Sequence, residues 1–122
     1  MTAAEVIALV DALRPNQYSN DQKLRWLRRL DGQIVEELEN THEGAAREAE
    51  LPEHYAPGTA LLAPFPYAEE LYTAYLFCQI DLHNAEIQKY NQSLSLLAAA
   101  WRSLADWINR GAMPKSAGGW KM

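Results

Sequence analysis

The sequence predicts an all-α fold of about four helices, with a central apolar helix hairpin and a long irregular loop after the second helix. Four segments carry apolar residues at the three- and four-residue spacing of a helix face. Capping signals precede the first two segments, and prolines cluster before the third. The 122 residues suffice for one domain. We therefore predict a helical domain over residues 1–111, in which 41–66 form the loop, and a mobile tail over 112–122.

The first two helices each begin at a predicted capping box, in which the side chain of each of two residues accepts a hydrogen bond from the other residue's backbone amide. Thr2 and Glu5 form the first box, and the helix ends before Pro15 because the residue preceding proline avoids the α region. Ser19 and Gln22 form the second box. The second helix, at about residues 20 to 40, carries the apolar stripe Leu24, Leu27, Leu30, Ile34 and Leu38.

The stretch "LLAPFPYAEELY" at residues 61–72 precedes the third helix. Pro66 is predicted at the first helical position, where proline loses no backbone hydrogen bond. Glu69 and Glu70 then fall in the first turn, where the helix dipole favours acidic side chains. The predicted apolar face consists of Tyr67, Leu71, Ala74, Cys78, Leu82 and Ala85. Further apolar residues beside this face indicate that the helix is central.

The last helix is predicted to end before Gly111 and to bury a regular stripe. That stripe is Leu94, Leu97, Ala98, Trp101, Leu104, Ala105 and Ile108. Two arrangements connect it to the third helix. A tight turn over 90–93, with Asn91 in the left-handed conformation and Ser93 as a cap, is favoured because it produces a hairpin. The alternative is one continuous helix over 66–110.

Composition argues against several classes of function. The net charge of −5 disfavours non-specific nucleic-acid binding, which needs a basic face. No run of 18 apolar residues predicts a membrane span, and acidic residues near the N-terminus argue against a signal peptide. The single cysteine, Cys78, lies on the apolar face of the third helix and is predicted to be an inert core thiol.

Two patterns could support chemistry. Glu39 and His42 have Glu-x-x-His spacing, but a di-iron bundle needs a second such motif, and Ile80 occupies the corresponding position before His83. An acidic magnesium site of a nucleotide phosphohydrolase could use Glu36, Glu37, Glu39, Asp81 and Glu86. The expected second carboxylate pair is missing, because Thr73 follows Glu70 at that spacing. We therefore predict no catalytic, cofactor or metal site.

Three polar residues fall beside the predicted core. Asp31 lies at the edge of the second helix's stripe, and Asp81 and Asn84 lie beside apolar residues of the third helix. A carboxylate near a core must be paired or hydrogen-bonded. The three residues are predicted to fix helix register.

Charge on the second helix runs against its dipole. Its basic residues lie at the start and its acidic residues at the end: Lys23, Arg25, Arg28 and Arg29, then Glu36, Glu37 and Glu39. Residues 36–53 carry seven acids and one arginine, a net charge of −6 that leaves +1 for the rest of the chain. Complementary patches of this kind suit an interface between copies of the chain.

Three stretches carry a resemblance to a known group: "PNQYSNDQKLRWLRRLDGQI", "LLAPFPYAEELYTAYLFCQIDLHNAEIQKYNQS" and "WINRGAMPK". Over roughly residues 12–115 the chain resembles small structural proteins of tailed phages and prophages of Gram-positive bacteria, of the head–tail connector (adaptor) type. The resemblance implies a helical subunit of a ring between the portal and the tail, found in the virion and, during assembly, in the host cytoplasm. It implies no catalysis.

The leading hypothesis is thus a non-enzymatic connector subunit that forms a homo-oligomer and contacts portal or tail proteins. The loop before the third helix would contribute to subunit contacts. The alternatives are an acidic-site nucleotide phosphohydrolase and a small helical regulatory adaptor.

Overall fold

Four α-helices follow one another along the chain: α1 (Ala3–Leu13), α2 (Asn20–Thr41), α3 (Ala68–His83) and α4 (Ile87–Asn109). The computed structural model describes residues 1–41 and 51–110, without the side chains of 39–41. Apart from these helices, the described residues contain one isolated β-bridge, between Thr2 and Ala60. The all-α prediction is confirmed. Gly111 and the predicted tail lie outside the described residues.

The capping signals of the first two helices act largely as predicted. The Glu5 amide donates to the Thr2 hydroxyl at 3.3 Å, and the Thr2 amide donates to the Glu5 carboxylate at 2.8 Å. At the start of α2 the Gln22 amide donates to the Ser19 hydroxyl at 3.1 Å. The Gln22 side-chain oxygen accepts a hydrogen bond from Arg25. Both helices therefore begin within one or two residues of the predicted positions.

The core lies around α3, which packs against each of the other three helices. The predicted stripe of α2 is buried along its whole length: Leu24, Leu27, Leu30, Ile34 and Leu38. Buried residues of α3 occupy several faces of the helix: Leu71, Tyr72, Ala74, Tyr75, Leu76, Cys78 and Ile80. The prediction of a central apolar helix is confirmed.

The start of α3 differs from the prediction. Pro66 does not occupy the first helical position, because the helix begins at Ala68. The peptide bond between Phe65 and Pro66 is cis, and the Tyr67 amide donates to the Pro64 carbonyl at 2.9 Å. This is the pattern of a turn with cis-proline in its third position. Pro66 therefore closes the turn that leads into the helix.

The break between α3 and α4 is also misplaced in the prediction. It falls at residues 84–86, and the predicted turn at 90–93 lies inside α4. Ala85 adopts the left-handed conformation with φ of 58°. The Glu86 amide donates to the Asp81 carbonyl at 3.0 Å and the Ala85 amide to the Leu82 carbonyl at 3.1 Å. This is a Schellman termination, and an alanine at its left-handed position gives no sequence signal for it.

Glycine at this position should stabilise the protein. A residue with a Cβ is strained in the left-handed region, whereas glycine is not. We expect Ala85→Gly to raise the free energy of unfolding by up to about 1 kcal/mol, measured by urea denaturation. Ala99→Gly, at an exposed position within α4, is the control and should be destabilising by about 1 kcal/mol. If both variants lose stability alike, the left-handed conformation of Ala85 is not the strained element we describe.

The hairpin itself is confirmed: α3 and α4 pack against each other more extensively than any other helix pair. Contacts at its two ends fix an antiparallel register. The Ser93 hydroxyl donates to Asp81 near the turn, and the ring of Tyr67 lies 5.5 Å from that of Trp107 at the far end. The buried residues of α4 are Ser93, Ala100, Leu104 and Ile108. The predicted stripe is only partly buried, since Leu94 and Ala98 remain exposed.

Candidate functional site

Asp31 is fully buried and joins three parts of the fold. Its carboxylate accepts hydrogen bonds from the hydroxyl of Tyr55 at 2.6 Å and from that of Tyr72 at 2.5 Å. It also accepts a hydrogen bond from the backbone amide of Leu62 at 3.2 Å. The Tyr72 hydroxyl in turn accepts a hydrogen bond from the amide of Ala63 at 2.8 Å. One carboxylate of α2 thus ties the segment 55–63 to α3.

Burial sets the protonation behaviour of this cluster. Burial raises the pKa of Asp31 above its usual value, although the hydrogen bonds from Tyr55 and Tyr72 act in the opposite direction. The pKa values of the two tyrosines are raised as well, chiefly by burial and next by the neighbouring carboxylate. Both hydroxyls therefore keep their protons and remain hydrogen-bond donors to Asp31. The arrangement holds structure together and presents no group to solvent.

Asp81 forms the second buried carboxylate cluster. The guanidinium of Arg14 donates to it at 2.5 Å, and the Ser93 hydroxyl donates at 2.8 Å. Arg14 also lies over the ring of Phe77, 4.3 Å from its centroid. The other oxygen of Asp81, Oδ1, is buried and has no hydrogen-bond partner within the described residues. Asp81 links the end of α1 to both helices of the hairpin.

Asn84 is only partly buried, and it is not part of the Asp81 cluster. Its side-chain oxygen accepts hydrogen bonds from the Tyr18 hydroxyl at 2.7 Å and from Gln17 at 3.2 Å. Asn84 therefore attaches the connection between α1 and α2 to the end of α3.

Nearby, burial raises the pKa of the Cys78 thiol to about 11, which agrees with the prediction of an inert core cysteine.

An open cleft of about 780 Å³ runs along the exposed face of α2. Its lining includes residues of both charges, from α2 and the following segment: Asp21, Arg25, Arg28, Arg29, Glu36, Glu53 and His54. Gly32 and Gln33 lie near its middle. Arg28 donates to the Pro52 carbonyl at 3.0 Å and Arg29 hydrogen-bonds Tyr75, whereas Arg25 donates to Gln22 of its own helix.

Lys23 does not belong to this exposed face, which corrects the predicted interface. Its side chain is 2% exposed, and its ammonium group donates to Asp11 at 2.7 Å. The lysine therefore neutralises a carboxylate of α1 and is unavailable to a second subunit. Glu36 is exposed and Glu37 is partly buried. The side chain of Glu39 lies outside the described residues.

The exposed charges at the two ends of the α2–α3 pair differ, because the two helices are antiparallel. Trp26 and His83 are in ring contact at one end, and Asp31 bonds Tyr72 farther along. Continuing this register places Glu36 level with the start of α3, where Glu69 and Glu70 are exposed. The acidic end of α2 and the acidic start of α3 thus lie together. Arg25 lies about 16 Å away along α2, at 1.5 Å per residue.

A second depression, an apolar groove of about 280 Å³, lies between α2 and α4. We call it the α2–α4 groove. Its lining residues are Leu30, Gln33, Leu94, Leu97, Ala98 and Trp101. Gln33 borders both this groove and the charged cleft, so the two form one continuous surface. The groove exists because α4 has a wider apolar face than its neighbours cover.

The residues considered for metal or phosphate chemistry do not converge in the described part of the chain. Glu36 lies near the start of α3, whereas Asp81 lies near its end and is engaged by Arg14. Along α3, the level of Glu36 and the position of Asp81 are separated by thirteen residues, which span about 20 Å. Among residues 1–41 and 51–110 there is no group of three His, Cys, Asp or Glu side chains that could hold a metal. His42 lies outside the described residues.

Comparison with known proteins finds no match among family models, curated proteins or solved structures. The described residues define a small all-α protein with two buried carboxylate clusters, a mixed-charge cleft and an apolar groove. Over those same residues, no helix has the length and apolar character needed to cross a membrane.

Sequence reasoning singled out Asp31 and Asp81 but missed their partners. Tyr55 stands in an irregular segment and Tyr72 belongs to another helix, so no spacing connects either residue to Asp31. Chemistry alone offered a hint, since a buried carboxylate needs donors and a tyrosine hydroxyl is a common one. The α2–α4 groove was also missed, because its α4 residues have the same helical spacing as buried ones.

Proposed function

We propose that the chain is a structural assembly protein that acts by self-association and protein–protein contacts, as a subunit of a phage head–tail junction. The observation that carries this proposal is the separation of charge on the exposed face of α2. Arg25 lies near the start of the helix and Glu36 lies three turns later, and both line one cleft. A surface with opposite charges at its two ends complements a second copy of itself.

The arrangement favours head-to-tail contacts. When two different patches of one subunit meet, each added copy exposes a fresh patch, and the series closes into a ring if the rotation per copy allows. Acidic residues lie together at one end of the molecule: Glu36, Glu69 and Glu70. The basic side chains of α2 lie toward the other end. The sequence resembles connector-type proteins, and this resemblance implies that such a ring would lie between a portal and a tail.

Salt and charge reversal test this proposal. The Debye length falls from about 10 Å at 0.1 M salt to about 3 Å at 1 M, so oligomers seen by light scattering at low salt should weaken at high salt. Arg25→Glu should weaken self-association roughly tenfold without unfolding the helices, because Arg25 is exposed. Reversing the charge of Arg28 or Arg29 would also remove hydrogen bonds within the fold, so a change in self-association could not be assigned to the interface.

A charge swap supplies the control. Glu36→Lys alone should weaken association as Arg25→Glu does, because each variant places like charges across the contact. Mixing the two variants should restore association, since the glutamate introduced in one chain then meets the lysine introduced in the other. The proposal is wrong if the wild type stays monomeric at low salt and also fails to bind any portal or tail protein.

A further inference from the structure

We draw no further inference here: the strongest candidate, the apolar α2–α4 groove lined by Leu30, Leu94, Leu97, Ala98 and Trp101, carries none because the charges beside it are of both signs and nothing in the structure shows what covers it.

Discussion

Replacing Asp31 with alanine is expected to lower the free energy of unfolding by about 3 to 4 kcal/mol, because two buried donors and one partly buried donor lose their acceptor together. These donors are the hydroxyls of Tyr55 and Tyr72 and the amide of Leu62. An unsatisfied buried donor costs about 1 to 3 kcal/mol, and partial relaxation makes the sum smaller than three separate losses. Urea denaturation followed by circular dichroism measures the change.

The matched control for this variant is Asp21→Ala. Asp21 is an exposed aspartate near the start of the same helix, so its loss should change stability by about 0.5 kcal/mol or less. A loss below about 1 kcal/mol for Asp31→Ala would show that the three donors find other partners. In that case Asp31 would not be the residue that holds the segment 55–63 on the helices.

Asp31→Asn separates charge from shape. Because burial raises the pKa of Asp31 above its usual 3.8, the folded protein keeps a proton there over a pH range in which the unfolded chain has lost it. The stabilising contribution of this carboxyl therefore falls as pH rises through that range. Relative to Asp31→Asn, which has no such proton, the wild type should be more stable at about pH 4 than at about pH 7. A difference independent of pH, or of opposite slope, contradicts the raised pKa.

The second large effect is expected at Asp81. Asp81→Ala should lower the free energy of unfolding by about 2 to 3 kcal/mol, because the Arg14 guanidinium and the Ser93 hydroxyl lose a common acceptor. Arg14 is 31% exposed, so water compensates part of its loss and keeps the effect below that at Asp31. Asp81 itself is 1% exposed, so little water reaches the other side of the pair.

A double-mutant cycle with Arg14→Met and Asp81→Ala tests this assignment. Methionine keeps a flexible side chain over Phe77 while removing the charge. If the two residues act as a pair, the double variant should be more stable than the sum of the single losses predicts, by roughly 0.5 to 3 kcal/mol. Additive losses would mean that Asp81 acts chiefly through Ser93. An unchanged melting temperature for Asp81→Ala would exclude a structural role for the carboxylate.

The sequence by itself determined the number and type of helices, because each rests on signals local to its own segment. The stripe from Leu24 to Leu38 follows the helical period, and the capping box at Thr2 needs only residues three apart. The central place of α3 was also readable, since a helix that is apolar on several faces must be covered from several sides. Asp31 and Asp81 could be singled out because a carboxylate beside an apolar stripe needs a partner.

Only the tertiary structure decided which groups meet and which surfaces remain uncovered. The break at Ala85 has no sequence signal, because the terminating hydrogen bonds come from backbone groups and alanine does not favour the left-handed conformation. Lys23 lies in a basic run, yet folding brings it to Asp11 of another helix and buries it. Leu94 and Ala98 share the spacing of buried residues, and they line a groove because none of the other described helices covers them. Burial depends on what packs against a face, and the period of a single helix does not encode its neighbours.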